Sequence, residues 1–200
     1  MLIHCESINH YMKWMTEGQH FAFAGYSDAE WYCILGQREG ERTGLGQILG
    51  AEHGKRLFDI IKRRHNDEWF LFAVPKVLWT IFSEGQIDWF LGNNNILMDG
   101  YERDMVTDDL AREAGLYPFI RRLMYNQVCV IGPAPLRELK PTVVNYKHFV
   151  EISTPNLHLE PNGIERAIEE ARRWGTNVKH AVYLVSAGVS AACIIDGLYG

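Results

Sequence analysis

Hydrophobic and polar positions along the chain form blocks that predict strands followed by helices. Short apolar runs of strand length occur at residues 21–24, 69–74, 127–131, 148–152 and 181–185. Between them, apolar side chains recur at the spacing of an amphipathic helix, as at Ile164, Ala167, Ile168 and Ala171. Strands that are apolar on both faces and alternate with helices indicate a mostly parallel sheet with helices on both faces. We therefore predict an α/β fold.

The same pattern sets the expected organisation of the 200 residues. A helical lead-in is expected over 1–20, ending at Gly18, and a further helix starts near Trp31. Later helices are expected at 51–65, 76–91 (interrupted near Gly85), 117–125, 136–140, 162–174 and 189–198. The length is within reach of one domain, so we predict a single Rossmann-like domain over 1–200.

The segment between the helix near Trp31 and the helix at 51–65 is predicted to be a loop. Residues 37–50 hold four glycines among polar residues. Because this loop follows a polar corner at the end of the first strand, it could close over a ligand there. A plain flexible connection is the other interpretation.

That polar corner, Ser27-Asp28-Ala29-Glu30, has two interpretations. Ser27 and Glu30 have the spacing of a capping box, which would only stabilise the start of the next helix. Alternatively, Asp28 and Glu30 could hold a divalent cation, because ligands gather at the carboxyl ends of parallel strands and a cation would let two carboxylates face a diphosphate. Residues two apart do not face the same way on a helix, so a shared cation requires Asp28 to precede the first turn or one carboxylate to act through water.

Composition narrows the class of protein. The hydrophobic fraction of 47%, the charged fraction of 22% and the net charge of −5 are those of an ordinary globular protein without a global basic field. Apolar runs are too short to span a bilayer and the N-terminus lacks a signal-peptide pattern, so we expect a cytoplasmic protein with no membrane partner. The scattered cysteines, Cys5, Cys33, Cys129 and Cys193, are expected to be reduced, three of them in the core.

Several common catalytic signatures are absent from the sequence. It contains no GxGxxG, P-loop, HExxH or GxSxG pattern. Asp88, Asp99 and His158 are the weak candidates for a general base. Trp31 and Trp89 are expected to pack in the core, with stacking on a sugar or a base as the alternative.

The sequence resembles the GT-D fold glycosyltransferases. The resemblance runs from about residue 20 to the C-terminus and rests on GYSDAEW after the first strand, CVIGPAPLREL around a middle strand, TPN at 154–156 and YLVSAGVSAACIIDGL at the end. It implies a Rossmann-like domain, a nucleotide-sugar donor and an Asp-x-Glu motif that binds Mn²⁺ or Mg²⁺ and the donor diphosphate. The motif falls on Asp28 and Glu30, which the resemblance makes both metal ligands and catalytic residues, next to Tyr26 and Ser27 as donor-binding residues.

Two further turns are candidates for binding the donor. Main-chain N–H groups at Gly132, which precedes Pro133, and at Ser186-Ala187-Gly188 follow strands, where small residues admit close approach of a phosphate. A tight turn from strand to helix would explain the same glycines without a ligand.

The chain also departs from the family pattern Arg-Tyr-Gly-Asp-Gly-Glu. The arginine is replaced by Gly25, and the two motif glycines by Ser27 and Ala29. Another cation must then offset the phosphate charge. Ser27 and Ala29 also allow a smaller range of backbone angles than the glycines they replace. Family members continue into a further strand, so this chain would be a short form.

Three functions remain open from the sequence. The first is metal-dependent transfer of a sugar from a nucleotide-sugar donor to a hydroxyl of a glycan, a small molecule or a protein. In the second the acceptor is a modified base in DNA, as in some phage-encoded glycosyltransferases, with phosphate contacts from the basic residues of helix 51–65. The third is a nucleotide-binding module without catalytic activity.

Overall fold

A computed structural model describes residues 9–73, 78–82, 86–96, 101–102, 116–123, 125–139, 144–153 and 155–200. Its strands are β1 Ala22–Gly25, β2 Phe70–Ala73, β3 Tyr101–Glu102, β4 Gln127–Gly132, β5 His148–Glu151 and β6 Ala181–Val185. Its α-helices are α1 Asn9–Glu17, α2 Asp28–Ile34, α3 Ala51–Arg64, α4 Leu78–Ile81, α5 Gln86–Asn93, α6 Leu116–Leu123, α7 Gly163–Gly175 and α8 Ala191–Tyr199. Short 3-10 helices cover Ala134–Leu139, Leu157–Leu159 and Gly188–Ser190.

The strands form two parallel sheets. The first has the order β1-β2-β3, with Ala22 beside Phe70 and Gly25 beside Ala73. The second has the order β5-β4-β6, with β4 in the centre. Parallel pairing with flanking helices confirms the predicted α/β class.

One hydrophobic core runs through both sheets. It includes Ala24 and Phe72 of the first sheet and Ile131 and Val150 of the second. Helix α8 packs against both β1 and β6 and so connects the two halves.

Helix α8 lies antiparallel to β1. At its C-terminal end, the ring of Tyr199 stacks on His20, with centroids 4.7 Å apart, and meets Phe70 at 5.3 Å, so this end lies at the amino ends of β1 and β2. The helix and the strand are each about 13 Å long. The start of α8, with the turn that precedes it, therefore lies at the carboxyl end of β1.

The predicted elements are found with small shifts in their bounds. The lead-in helix ends as expected, because Gly18 has φ +70°, and residues 1–8 lie outside the described part. Two predictions need correction. The short helix expected at 136–140 is a 3-10 helix at Ala134–Leu139. The loop expected at 37–50 contains a small antiparallel hairpin with a bridge between Arg42 and Ile48.

Cysteine and tryptophan environments agree with most of the expectations. Cys33, Cys129 and Cys193 are free and buried, and Cys5 lies outside the described residues. Burial raises the pKa of the Cys129 and Cys193 thiols to about 12. Trp31 is in the core, but Trp89 is 70% exposed, so its core placement was wrong. Among the described residues, no helix has the length and hydrophobicity to cross a membrane.

Candidate active site

The candidate site lies where the parallel strands end. The chain leaves β1 at Tyr26, β4 at Pro133 and β6 at Ser186. Because α8 is antiparallel to β1, the turn after β6 lies at the same edge as the corner after β1. Cys193 of α8 is close enough to Tyr26 to add electrostatically to the rise in the Tyr26 pKa that burial causes.

Glu30 caps helix α2. Ser27 is the N-cap residue, and the Glu30 carboxylate accepts hydrogen bonds from the Ser27 N–H at 2.9 Å and from the Ser27 hydroxyl at 2.5 Å. The side chain is only 6% exposed. Burial raises the pKa of Glu30, while the bonds from Ser27 act in the opposite direction. The capping interpretation is thus confirmed for Ser27 and Glu30.

Asp28, in contrast, is exposed at the first position of the same helix. Helical positions 28 and 30 do not face the same way, so the two carboxylates do not form one pair. No cluster of three or more metal-binding side chains occurs within the described residues. A Mg²⁺ ion needs only one or two carboxylates when substrate phosphates and water complete its shell, and the exposed carboxylate of Asp28 fits that role. Direct metal ligation by Glu30 stays a prediction.

Tyr26 belongs to the core. Its side chain is fully buried, and its hydroxyl donates to the Leu57 carbonyl oxygen at 3.3 Å. Its N–H donates to the carbonyl oxygen of Ala73 at 2.8 Å. Contact between Tyr26 and a donor stays a prediction.

The turns after β4 and β6 are neighbours. A Cβ atom on Gly132 would clash with the Leu136 side chain and would lie 3.4 Å from the carbonyl oxygen of Ser186. The missing side chain of Gly132 therefore makes room for Leu136, which is the explanation without a ligand. Pro133 is half-buried beside it, and Ser186 is exposed at the edge.

A side chain from the loop at 37–50 lies against one side of Gly188. Gly188 has φ +54°, in the left-handed region that favours glycine, and a Cβ atom there would overlap Nε2 of Gln47. Gln47 itself is 7% exposed. The carboxamide of Gln47 thus lies on the side of Gly188 where a Cβ atom would stand, while Gly188 remains exposed on another side, so phosphate binding at this turn stays a prediction.

Residues 40–49 form what we call the glycine hairpin. Its ends pair through Gly40 N–H to Leu49 O at 2.8 Å, and Thr43 N–H donates to Gln47 O across the tip. Asn156, in the loop after β5, binds both sides of Gln47: its amide donates to Gly46 O at 3.3 Å and its oxygen accepts from the Ile48 N–H at 2.7 Å. The sequence marked Asn156 only as part of TPN, and Thr154 of that motif lies outside the described residues.

Two histidines also bond to main-chain carbonyl oxygens in this region. His158 Nε2 bonds to the carbonyl oxygen of Ile48 at 3.0 Å, and His53 Nε2 bonds to that of Val189 at 2.8 Å. Their rings are 4.6 Å apart. Burial lowers the pKa of His53 to about 4 and also lowers that of His158, so both rings are neutral at pH 7. Sequence reasoning missed His53, since nothing in its local pattern distinguishes it.

Solved structures identify the fold. No family model matches the sequence, and no curated protein matches it either. A structure described as a new glycosyltransferase (DUF1792) from Streptococcus sanguinis superposes with a TM-score of 0.66 at 16% identity, covering 96% of this chain and 76% of that one. The chain has a glycosyltransferase fold. A structure described as showing that the domain of unknown function 1792 has a distinct glycosyltransferase fold gives a TM-score of 0.58 at 17% identity, covering 96% of this chain and 73% of that one.

Within this glycosyltransferase fold, the basic residues of α3 are largely neutralised. Arg56 pairs with Glu165, Lys62 with Asp59, and Arg63 and Arg64 with Asp196. The side chains that suggested DNA contacts are Lys55, Arg56, Lys62, Arg63, Arg64 and His65, and four of these six are therefore in ion pairs. Exposed ion pairs leave little net charge for counterion release at DNA phosphates.

The structure describes two of the three candidates for a general base. Asp88 is exposed on α5, His158 bonds to the hairpin, and Asp99 lies outside the described residues. Two open cavities of about 520 and 290 Å³ lie elsewhere, one around His148 and Trp174 and the other around Arg122 and Lys179, and neither is lined by Asp28, Gly132 or Ser186.

Proposed function

We propose that the protein is a glycosyltransferase that moves a sugar from a nucleotide-sugar donor to a hydroxyl of a glycan or small-molecule acceptor. The observation that carries the proposal is the position of Asp28. It is an exposed carboxylate at the carboxyl end of β1, at the same edge as the turns after β4 and β6, in a fold shared with a known glycosyltransferase. Ligands of open α/β folds bind at this edge.

Asp28 is the residue that would hold a divalent cation, Mn²⁺ or Mg²⁺, together with donor phosphates and water. Such a cation acts as a Lewis acid that stabilises charge on a diphosphate leaving group. Glu30 supports Asp28 by fixing the first turn of α2 through Ser27. The exposed Ser186 lies in the turn after β6, adjacent to Gly132, and would offer its hydroxyl to the phosphates.

Thermal denaturation with nucleotides tests this function. UDP, GDP and their sugar derivatives are added with and without Mn²⁺, and a ligand at 100 times its dissociation constant should raise the free energy of unfolding by about 2.7 kcal/mol. We expect the Mn²⁺-dependent part of this stabilisation to disappear in Asp28→Asn, while the unliganded protein keeps its melting temperature because Asp28 is exposed.

Glu52→Gln is the matched control. Glu52 is also an exposed acid in the first turn of a helix, α3, and its replacement should leave the Mn²⁺-dependent stabilisation unchanged. An equal stabilisation of wild type and Asp28→Asn would show that Asp28 holds no cation. Release of free sugar or its transfer to a test acceptor, measured on wild type, separates the enzyme from a module that only binds nucleotides.

A further inference from the structure

We propose that the glycine hairpin forms a wall of the donor site and that Asn156 and His158 are positioning residues that hold it there. This inference rests on the proposed function, because it names the elements that enclose the donor of that reaction. It differs from the interpretation of residues 37–50 as a plain connection between two helices.

The first support is the kind of contact that anchors the hairpin. Asn156 donates to Gly46 O and accepts from the Ile48 N–H, and His158 bonds to Ile48 O. These bonds imitate the main-chain pairing of a neighbouring strand, although Asn156 and Ile48 are 108 residues apart in sequence. A two-stranded hairpin is marginally stable in water, so the anchors determine where this one lies.

The second support is what the anchored hairpin covers. Asn156 bonds to Gly46 and Ile48, the residues before and after Gln47. The Gln47 carboxamide lies against Gly188, in the turn after β6. A donor that approaches this turn from the side of Gln47 would contact its carboxamide. The carboxamide carries two N–H donors and one acceptor, which suit phosphate or ribose oxygens.

The third support is the difference between the base of the hairpin and its tip. Leu49 is buried at the base, whereas Leu45, between Gly44 and Gly46 at the tip, is 82% exposed. A loop that only connected α2 to α3 would not need polar anchors from the far end of the sequence. The exposed tip leaves this wall free to adjust to a ligand while its base stays fixed.

Limited proteolysis tests whether Asn156 positions the hairpin. Trypsin can cut after Arg42, whose side chain is exposed and whose backbone pairs with Ile48 in the anchored hairpin. Loss of two hydrogen bonds in Asn156→Ala should speed this cleavage about tenfold or more. Asn156→Asp keeps the acceptor for the Ile48 N–H and should give an intermediate rate.

Asn177→Ala is the control, because Asn177 is an exposed asparagine in the turn after α7 and should leave the cleavage rate at the wild-type value. Melting temperatures of the variants separate release of the hairpin from unfolding of the whole chain. Equal cleavage after Arg42 in wild type and Asn156→Ala, with both folded, would overturn the positioning role.

Ligand protection tests whether the hairpin is a wall of the donor site. UDP or GDP with Mn²⁺, at concentrations that raise the melting temperature, should slow cleavage after Arg42 in wild type. Asn156→Ala should raise the KM for the nucleotide sugar about tenfold with a smaller change in kcat, since a misplaced wall weakens donor binding first.

The failures of the two proposals are distinguishable. A nucleotide that raises the melting temperature without slowing cleavage after Arg42 overturns the wall and leaves the proposed function standing. A panel of nucleotides and nucleotide sugars that raises no melting temperature overturns the proposed function and the wall with it.

Discussion

Asp28 and Glu30 are two residues apart and differ completely in environment. Glu30 is buried and accepts two hydrogen bonds from Ser27, whereas Asp28 points from the first helical position to the exterior. The same short motif therefore contains one residue whose demonstrated contact is structural and one that is available to a ligand. Substitutions at the two positions should have different effects.

Replacement of Glu30 measures how much the cap contributes to the free energy of unfolding. Glu30→Ala removes the acceptor for the Ser27 N–H and hydroxyl, so we expect a loss of about 1–2 kcal/mol in the free energy of unfolding, measured by urea denaturation. Glu30→Gln retains an acceptor oxygen and, at neutral pH, avoids a buried charge, so its stability should be within about 1 kcal/mol of wild type.

The nucleotide experiment on Glu30→Gln then addresses its second predicted role. If Glu30 acts only as a cap, the variant keeps the Mn²⁺-dependent stabilisation by nucleotides that Asp28→Asn loses. Loss of that stabilisation in a folded Glu30→Gln would instead establish Glu30 as a metal ligand.

At the scale of elements, the hairpin, the loop after β5, the turn after β6 and the start of α3 form one assembly. His53 connects α3 to Val189, and its ring lies against His158, which in turn bonds to Ile48. Burial lowers the pKa of both rings, so a charge on either ring is disfavoured within the assembly. Arg56, one turn along α3, also disfavours a charged His53.

This assembly should weaken in acid. The pKa of His53 is about 4 in the folded chain and about 6.5 in the unfolded chain, so the unfolded chain binds more protons between these values. The stabilisation is complete above pH 6.5 and is lost as pH falls through 4, with a total of about 3 kcal/mol.

Urea denaturation between pH 4 and 8 measures this effect. His53→Phe should lack the His53 part of the pH dependence, and His65→Gln, which replaces a histidine that bonds within its own helix, should keep it. Parallel pH profiles for wild type and His53→Phe would contradict the assignment to His53.

The degree to which the sequence predicted these elements depends on how local their causes are. Apolar runs predicted the strands, and the Ser27-x-x-Glu30 spacing predicted the cap, because both patterns act within a few residues. The sequence could not show that Asn156 binds the hairpin, since that contact joins segments 108 residues apart. Gly132 and Gly188 were ambiguous for another reason: the space beside a glycine can be filled by a ligand or, as here, by Leu136 and Gln47.

At the scale of the molecule, α8 joins the two sheets. Asp196 accepts hydrogen bonds from Arg63 at 2.7 Å and from Arg64 at 2.8 Å, which connects α8 to α3. Its side chain is 13% exposed, so this carboxylate is better shielded from water than the other ion pairs of α3. The arrangement fixes α8, and with it the position of the turn at Gly188 relative to β1.

Removal of this carboxylate should destabilise the whole chain. We expect Asp196→Ala to lower the free energy of unfolding by about 1–3 kcal/mol, because two arginines lose their shared acceptor. Asp59→Ala removes the exposed partner of Lys62 within the same helix and should cost less than about 0.5 kcal/mol. Similar losses for the two variants in urea denaturation would show that Asp196 contributes no more than a surface charge.

Asn156 and His158 hold the hairpin through hydrogen bonds to main-chain atoms of Gly46 and Ile48. Any residue except proline supplies those atoms, so the attachment of the hairpin does not constrain an exposed side chain at its tip. A position such as Leu45 is thus open to substitution during evolution without detaching the segment. Related chains could diverge in what they recognise while keeping the same architecture.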